Sequence, residues 1–178
     1  MTNYNTSAFG IFATRTAAEN GVSALINAGF ANQDISVLAS DTNTIRDLAT
    51  EKHTKAPEGA TTGATTGGVV GGALGLLAGI GMIAIPGVGP FIAAGPIMGA
   101  LAGLGVGAAT GGIIGALAGM GIPEYEAKRY EGFVRDGGIL VSVHGENADM
   151  ISKAKNILEK SGAKDISSAG EKTVKKAS

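Results

Sequence analysis

The chain has 178 residues, 14 Lys and Arg against 15 Asp and Glu, and no cysteine. That balance gives no strong field for nucleic acid, and the missing thiols exclude disulfides, thiolate nucleophiles and thiolate metal sites. Glycine is the anomaly: of 30 residues, 21 lie between Gly59 and Pro123, a stretch without a single charge.

Met1 to Ala8 is polar and lacks a basic start followed by an apolar core, so no cleavable signal is expected. Ala8 to Ala13 (AFGIFA) reads as a short buried strand. Thr16 followed by Glu19 has the capping-box spacing, and Ala18, Val22, Leu25 and Ile26 fall on one helical face. Gly29 is a natural stop for that helix. Asp34 to Ala39 (DISVLA) then alternates into a second strand. Asp41 to Glu58 reads as a polar linker.

Glycine next recurs at every fourth position, in two runs. The first holds Gly59, Gly63, Gly67, Gly71, Gly75 and Gly79; the second holds Gly95, Gly99, Gly103, Gly107, Gly111, Gly115 and Gly119. Residues four apart share a helix face, so each run predicts a groove without side chains where two backbones can approach closely. Pro86, Pro90 and Pro96 interrupt the runs and predict a hairpin turn. A disordered segment would be polar and charged, whereas Leu, Ile and Val fill the other positions. Glycine is a poor helix former in water, so these helices need a surrounding that enforces backbone pairing. Lipid does so, and about 25 residues per arm is enough to span a bilayer. The alternative surrounding is protein, in a soluble homo-oligomer or filament held by the same hairpins. Flanking Arg46, Lys52, Lys55, Lys128, Arg129 and Arg135 place both termini on the cytoplasmic side of an inner membrane; the alternative is a cytoplasmic assembly.

Pro123 to Asp136 (PEYEAKRYEGFVRD) is an amphipathic stretch with Tyr130, Phe133 and Val134 as its apolar strip. Tyr125, Lys128, Arg129 and Tyr130 follow the second run directly, where a membrane interface would place them; an ordinary surface helix reads equally well. Gly138 to His144 (GILVSVH) is a strand, Asn147 a candidate N-cap, and Ile151, Ala154, Ile157 and Leu158 a helical stripe stopped at Gly162. Asp165 to Ser167 repeats the DIS of Asp34 to Ser36 at the same place in the order of elements. The residues from Glu171 on read as a basic tail.

The fold expected is α+β, a ferredoxin-like βαβ…βαβ sandwich split by an inserted two-helix glycine-zipper hairpin. Its parts are a first βαβ half at 1–40, a linker at 41–58, the hairpin at 59–122, a connecting helix at 123–136, a second βαβ half at 137–168 and a tail at 169–178. No catalytic, metal or cofactor site is expected. His53 and His144 lack convergent partners, and the glycine runs lack the lysine of a phosphate loop. The expected partners are further copies of the chain and membrane lipid, with no nucleic acid and no small-molecule substrate.

Several stretches resemble the bacterial general-stress proteins of the heat-induced YflT type, also labelled low-temperature-induced proteins. They are FGIFATRTAAENGVSALINAGF with DISVL, KAPEGATTGATTGG, IPGVGPFIAAGPIMGALAG, and GIPEYEAKRYEGFVRDGGILVSVH. The resemblance implies a non-catalytic, stress-linked protein and brings no active-site residues with it.

Overall fold

The computed structural model describes residues 6–40, 81–85, 89–97 and 112–170. In chain order these form β1 (Thr6–Phe12), α1 (Arg15–Asn27), a 3-10 turn (Asn32–Asp34), β2 (Ile35–Ser40), β3 (Gly81–Ile85) and β4 (Gly89–Ala94). They continue with α2 (Gly112–Gly119), α3 (Glu124–Arg135), β5 (Ile139–Gly145), α4 (Ala148–Lys160) and β6 (Lys164–Gly170). The class is α+β. The outer segments supply four antiparallel strands in the order β2-β5-β1-β6, and β3-β4 extends the sheet beyond β2.

Strand alternation sorts the apolar residues onto two faces. Ala8 and Phe12, Ile35, Val37 and Ala39, and Ile139, Val141 and Val143 point to one face. There α1 brings Ala18, Val22 and Leu25, and α4 brings Ile151, Ala154 and Leu158. The local signals that start and stop these helices are mostly those expected. Asn147 caps α4, its Oδ1 accepting the Met150 N–H at 2.8 Å. Asn147→Ala should cost about 1 kcal/mol, measurable as a lowered urea midpoint. Gly29 and Gly162 both take positive φ, 99° and 90°, just past their helices. The start of α1 differs: Thr14, rather than Thr16, is the N-cap, accepting from the Ala17 N–H. Glu19 instead pairs with Arg15, one turn back at 2.9 Å.

The other face carries a second core. Phe9, Ile11, Leu38 and Leu140 come from the central strands; Phe91, Ala93, Ile97, Ile113, Ala116, Leu117, Met120 and Ile122 come from the glycine-rich middle. Ala127, Tyr130 and Val134 of α3 complete it. The middle of the chain is therefore no separate hairpin where it is described, because it roofs the sheet. At roughly 1.5–3 kcal/mol for each large apolar side chain buried, the described part of the middle gains burial against the chain's own sheet.

One expectation is corrected by the sheet: residues 81–85 and 89–94 are paired antiparallel strands, where the end of one helix and a turn were expected. Pro90 is the second residue of β4, a position near a strand start that tolerates a missing N–H. The physical reason is that the four-residue glycine spacing lapses between Gly79 and Gly95, leaving β-branched residues beside the open edge of β2. An edge strand presents unpaired N–H and C=O groups, and β4 satisfies them from Val37 to Ser40.

Among the described residues no helix is long and apolar enough to cross a membrane. Of the prolines expected at the turn, Pro90 lies within the sheet, in β4. Most of both glycine runs, from Gly59 to Gly79 and from Gly99 to Gly111, lies outside the described residues.

Candidate functional site

Helix α2 (GIIGALAG) carries three glycines in eight residues, a composition that would not hold a helix alone. Packing holds it: Ile113, Ala116 and Leu117, with Met120 just beyond, are buried in the second core. Gly115 and Gly119 stand four residues apart on the opposite face. No described atom lies within 4 Å of where a Cβ would be at either one. Among the described residues, nothing packs on this part of the ladder at its Cβ positions.

Gly95 behaves differently. It ends β4 with φ 73°, and a Cβ there would stand 2.2 Å from the Ile35 carbonyl oxygen. Next to it, the Ile97 N–H donates to Ser36 Oγ at 3.2 Å, within the buried core. Gly95 is therefore a close-approach residue seating the chain on β2, a correction to its place in a helix-packing ladder. Pro96 is exposed beside it. Gly59, Gly63, Gly67, Gly71, Gly75, Gly79, Gly99, Gly103, Gly107 and Gly111 lie outside the described residues, as do Pro86 and His53.

The residues expected at a membrane interface divide. Tyr125 is 70% exposed, and Lys128 is exposed with it. Arg129 is half-exposed and pairs with Asp165 at 3.0 Å. Tyr130 is fully buried, a correction: its ring lies 6.3 Å from that of Phe9. Its hydroxyl donates to the Asp165 carbonyl oxygen at 2.8 Å and shares a 2.6 Å hydrogen bond with Ser167 Oγ. Helical phase is the reason. Tyr130 and Val134 share the buried face of α3 with Ala127, whereas Tyr125 falls on the opposite side.

Burial pushes the Tyr130 phenol above its ordinary range, with the Ser167 hydrogen bond opposing. A raised folded-state pKa favours the neutral phenol, so its contribution is complete below about pH 10 and is lost as pH rises through the folded value. Thermal melts should show stability declining above about pH 10, and Tyr130→Phe should reduce that decline.

His144 is half-buried at the end of β5, opposite Ser7 in register. Among the described residues no group of three His, Asp or Glu side chains is placed to hold a metal. The knot of Tyr130, Asp165 and Ser167 had no signal in the sequence beyond the amphipathic strip that contains Tyr130. Its members are 35 and 37 residues apart, and only the sheet order brings them together.

With this geometry in hand, residues 8–84 match the family described as the heat induced stress protein YflT domain. The match runs from β1 to β3. No curated protein and no solved structure matches the chain.

Proposed function

We infer that this chain, which carries a YflT domain at residues 8–84, is a non-catalytic, stress-linked protein that self-associates through glycine-lined helix faces. The observation carrying this reading is the two-sidedness of α2. One side is buried in its own domain, while Gly115 and Gly119 on the other have no described neighbour within 4 Å. Each glycine costs a helix roughly 1 kcal/mol against alanine, and nothing described within the chain requires it there. A second copy supplies the reason, because two backbone faces can approach closely enough to add dispersion and Cα–H···O contacts. In this reading the sheet β2-β5-β1-β6 with α1 and α4 is a ferredoxin-like sandwich, and the middle of the chain supplies both its roof and its contact face.

Sedimentation velocity of the full chain tests the idea. Gly115→Leu combined with Gly119→Leu should shift the protein towards monomer, with association weakened at least about tenfold. Circular dichroism should stay native, since both Cβ positions open away from described atoms. An unchanged sedimentation profile would sink the reading.

A second reading has one observation of its own. Tyr125, 70% exposed, stands near Lys128 on the outer side of α3, a combination suited to lipid headgroups. Placement at the inner membrane, with both termini on the cytoplasmic side, is then by surface contact rather than by spanning. Flotation with anionic vesicles tests it: Tyr125→Ala with Lys128→Glu should abolish co-flotation, and failure of the unmodified chain to float would end this reading.

A further inference from the structure

Strand β6 is the edge of the sheet next to β1, and its attachment differs from that of every other strand of the four-strand core. Only Ala169 of its residues is fully buried, with Ile166 half-buried against the first core. By contrast, β1, β2 and β5 are buried along almost their whole length. Its pairing is interrupted too. Phe9 pairs with Ser167 and Ile11 with Lys164, so Asp165 and Ile166 together oppose the single residue Gly10. That is a β-bulge. Asp165 is the only described non-glycine residue with positive φ, 49°, a conformation that aspartate adopts more readily than most side chains. The strand is held instead by a clasp from α3: the Tyr130 hydroxyl to the Asp165 carbonyl and Ser167 Oγ, and Arg129 to the Asp165 carboxylate.

Few buried apolar contacts and an irregular ladder are the marks of an element that opens before the rest of its domain. We propose that β6 is a detachable strap latched by Tyr130, and that the β1 edge it leaves takes β6 from a second copy of the chain. The occupant follows from the edge itself. An incoming strand must place its extra residue opposite Gly10, where a Cβ would already stand 3.0 Å from Ala163 Cβ. It must also offer a carbonyl and a hydroxyl to Tyr130 and a carboxylate to Arg129. β6 meets all of these conditions. Gly162, at φ 90° between α4 and β6, is the hinge about which the strap swings. This contact is separate from the glycine face of α2 and does not rest on it.

Native-state hydrogen exchange on the full chain gives the first test. Amides of 164–170 should exchange at least about tenfold faster than those of 139–145. Tyr130→Phe and, separately, Ser167→Ala should accelerate β6 by a further factor of about five, with β6 still exchanging at least about tenfold faster than β5. The two variants guard against a folding defect in either one. The second test uses the absence of native cysteine. Thr6 and Gly170 are register partners, and antiparallel partners have Cα separations within disulfide range. A T6C/G170C disulfide should abolish the dimer that brief warming produces from the unmodified chain. G115L/G119L should leave that dimer intact, which separates the strap from the glycine-face assembly. Equal protection of β6 and β5, a β6 exchange rate that neither variant changes, or a dimer that forms despite the disulfide would each overturn the proposal.

Discussion

Replacing Gly95 with alanine should destabilise the protein by roughly 2–5 kcal/mol, combining the cost of a side chain at positive φ with that of overpacking. The same change at Gly115 should be neutral or stabilising by up to about 1 kcal/mol when measured on dilute monomer. The two glycines belong to one four-residue ladder, so the contrast separates what sequence spacing makes equivalent. At Gly95 the new Cβ would meet the Ile35 carbonyl at 2.2 Å and Ser36 Cα at 3.0 Å. Both are backbone atoms of a central strand and cannot give way. Moving the chain off β2 would also loosen the Ile97 N–H to Ser36 Oγ bond and the burial of Phe91 and Ile97. Against a typical total of about 5–15 kcal/mol, this is enough to bring the second core close to unfolding. Urea titration followed by circular dichroism measures both variants; similar midpoints for the two would show that Gly95 is not held against β2.

The second large effect is expected at Tyr130. Tyr130→Ala removes a fully buried ring, a change that typically costs about 3–5 kcal/mol. It also strips the Ser167 hydroxyl and Asp165 carbonyl of a hydrogen-bond partner, adding about 1–3 kcal/mol where they stay shielded from water. Tyr130→Phe keeps the ring against Phe9 and isolates that second part, so it should cost only about 1–3 kcal/mol. Denaturation of the pair therefore divides packing from polar satisfaction. A side chain at a lipid interface would behave otherwise. In the absence of lipid, both substitutions would leave the urea midpoint almost where it was. A near-zero effect of Tyr130→Ala would restore the interfacial reading that burial argues against.

The candidate site was only partly legible. Glycine at every fourth position groups Gly115 and Gly119 on one helix face, and no described atom lies within 4 Å of where a Cβ would stand at either. The same spacing groups Gly95 with them, although its role is to let β4 close on β2. Spacing reports which residues share a face once a helix exists; it does not report whether the helix exists. Likewise, an apolar strip of Tyr130, Phe133 and Val134 marks a helix that packs on something. Only the direction in which α3 lies on the sheet turns Tyr130 and Val134 inward and leaves Tyr125 outside. The expectation of spanning helices rested on the rest of the chain being too small to bury the middle, yet one face of the sheet takes in Phe91, Ala93, Ile97, Ile113 and Leu117 from it.

What the sequence by itself determined are the features whose causes are local. The strands at both ends, the helices between them, the Asn147 cap and the stops at Gly29 and Gly162 follow from periodicity and from backbone preferences within a few residues. The tertiary structure decided the state of 81–85 and 89–94, the separate duties of Gly95 and Gly115, and the clasp of Tyr130 on β6. Each of these depends on a hydrogen-bond partner or a packing surface tens of residues away. A glycine-rich, β-branched segment has weak preferences of its own, so the free edge of β2 and the bare face of the sheet settle what it becomes.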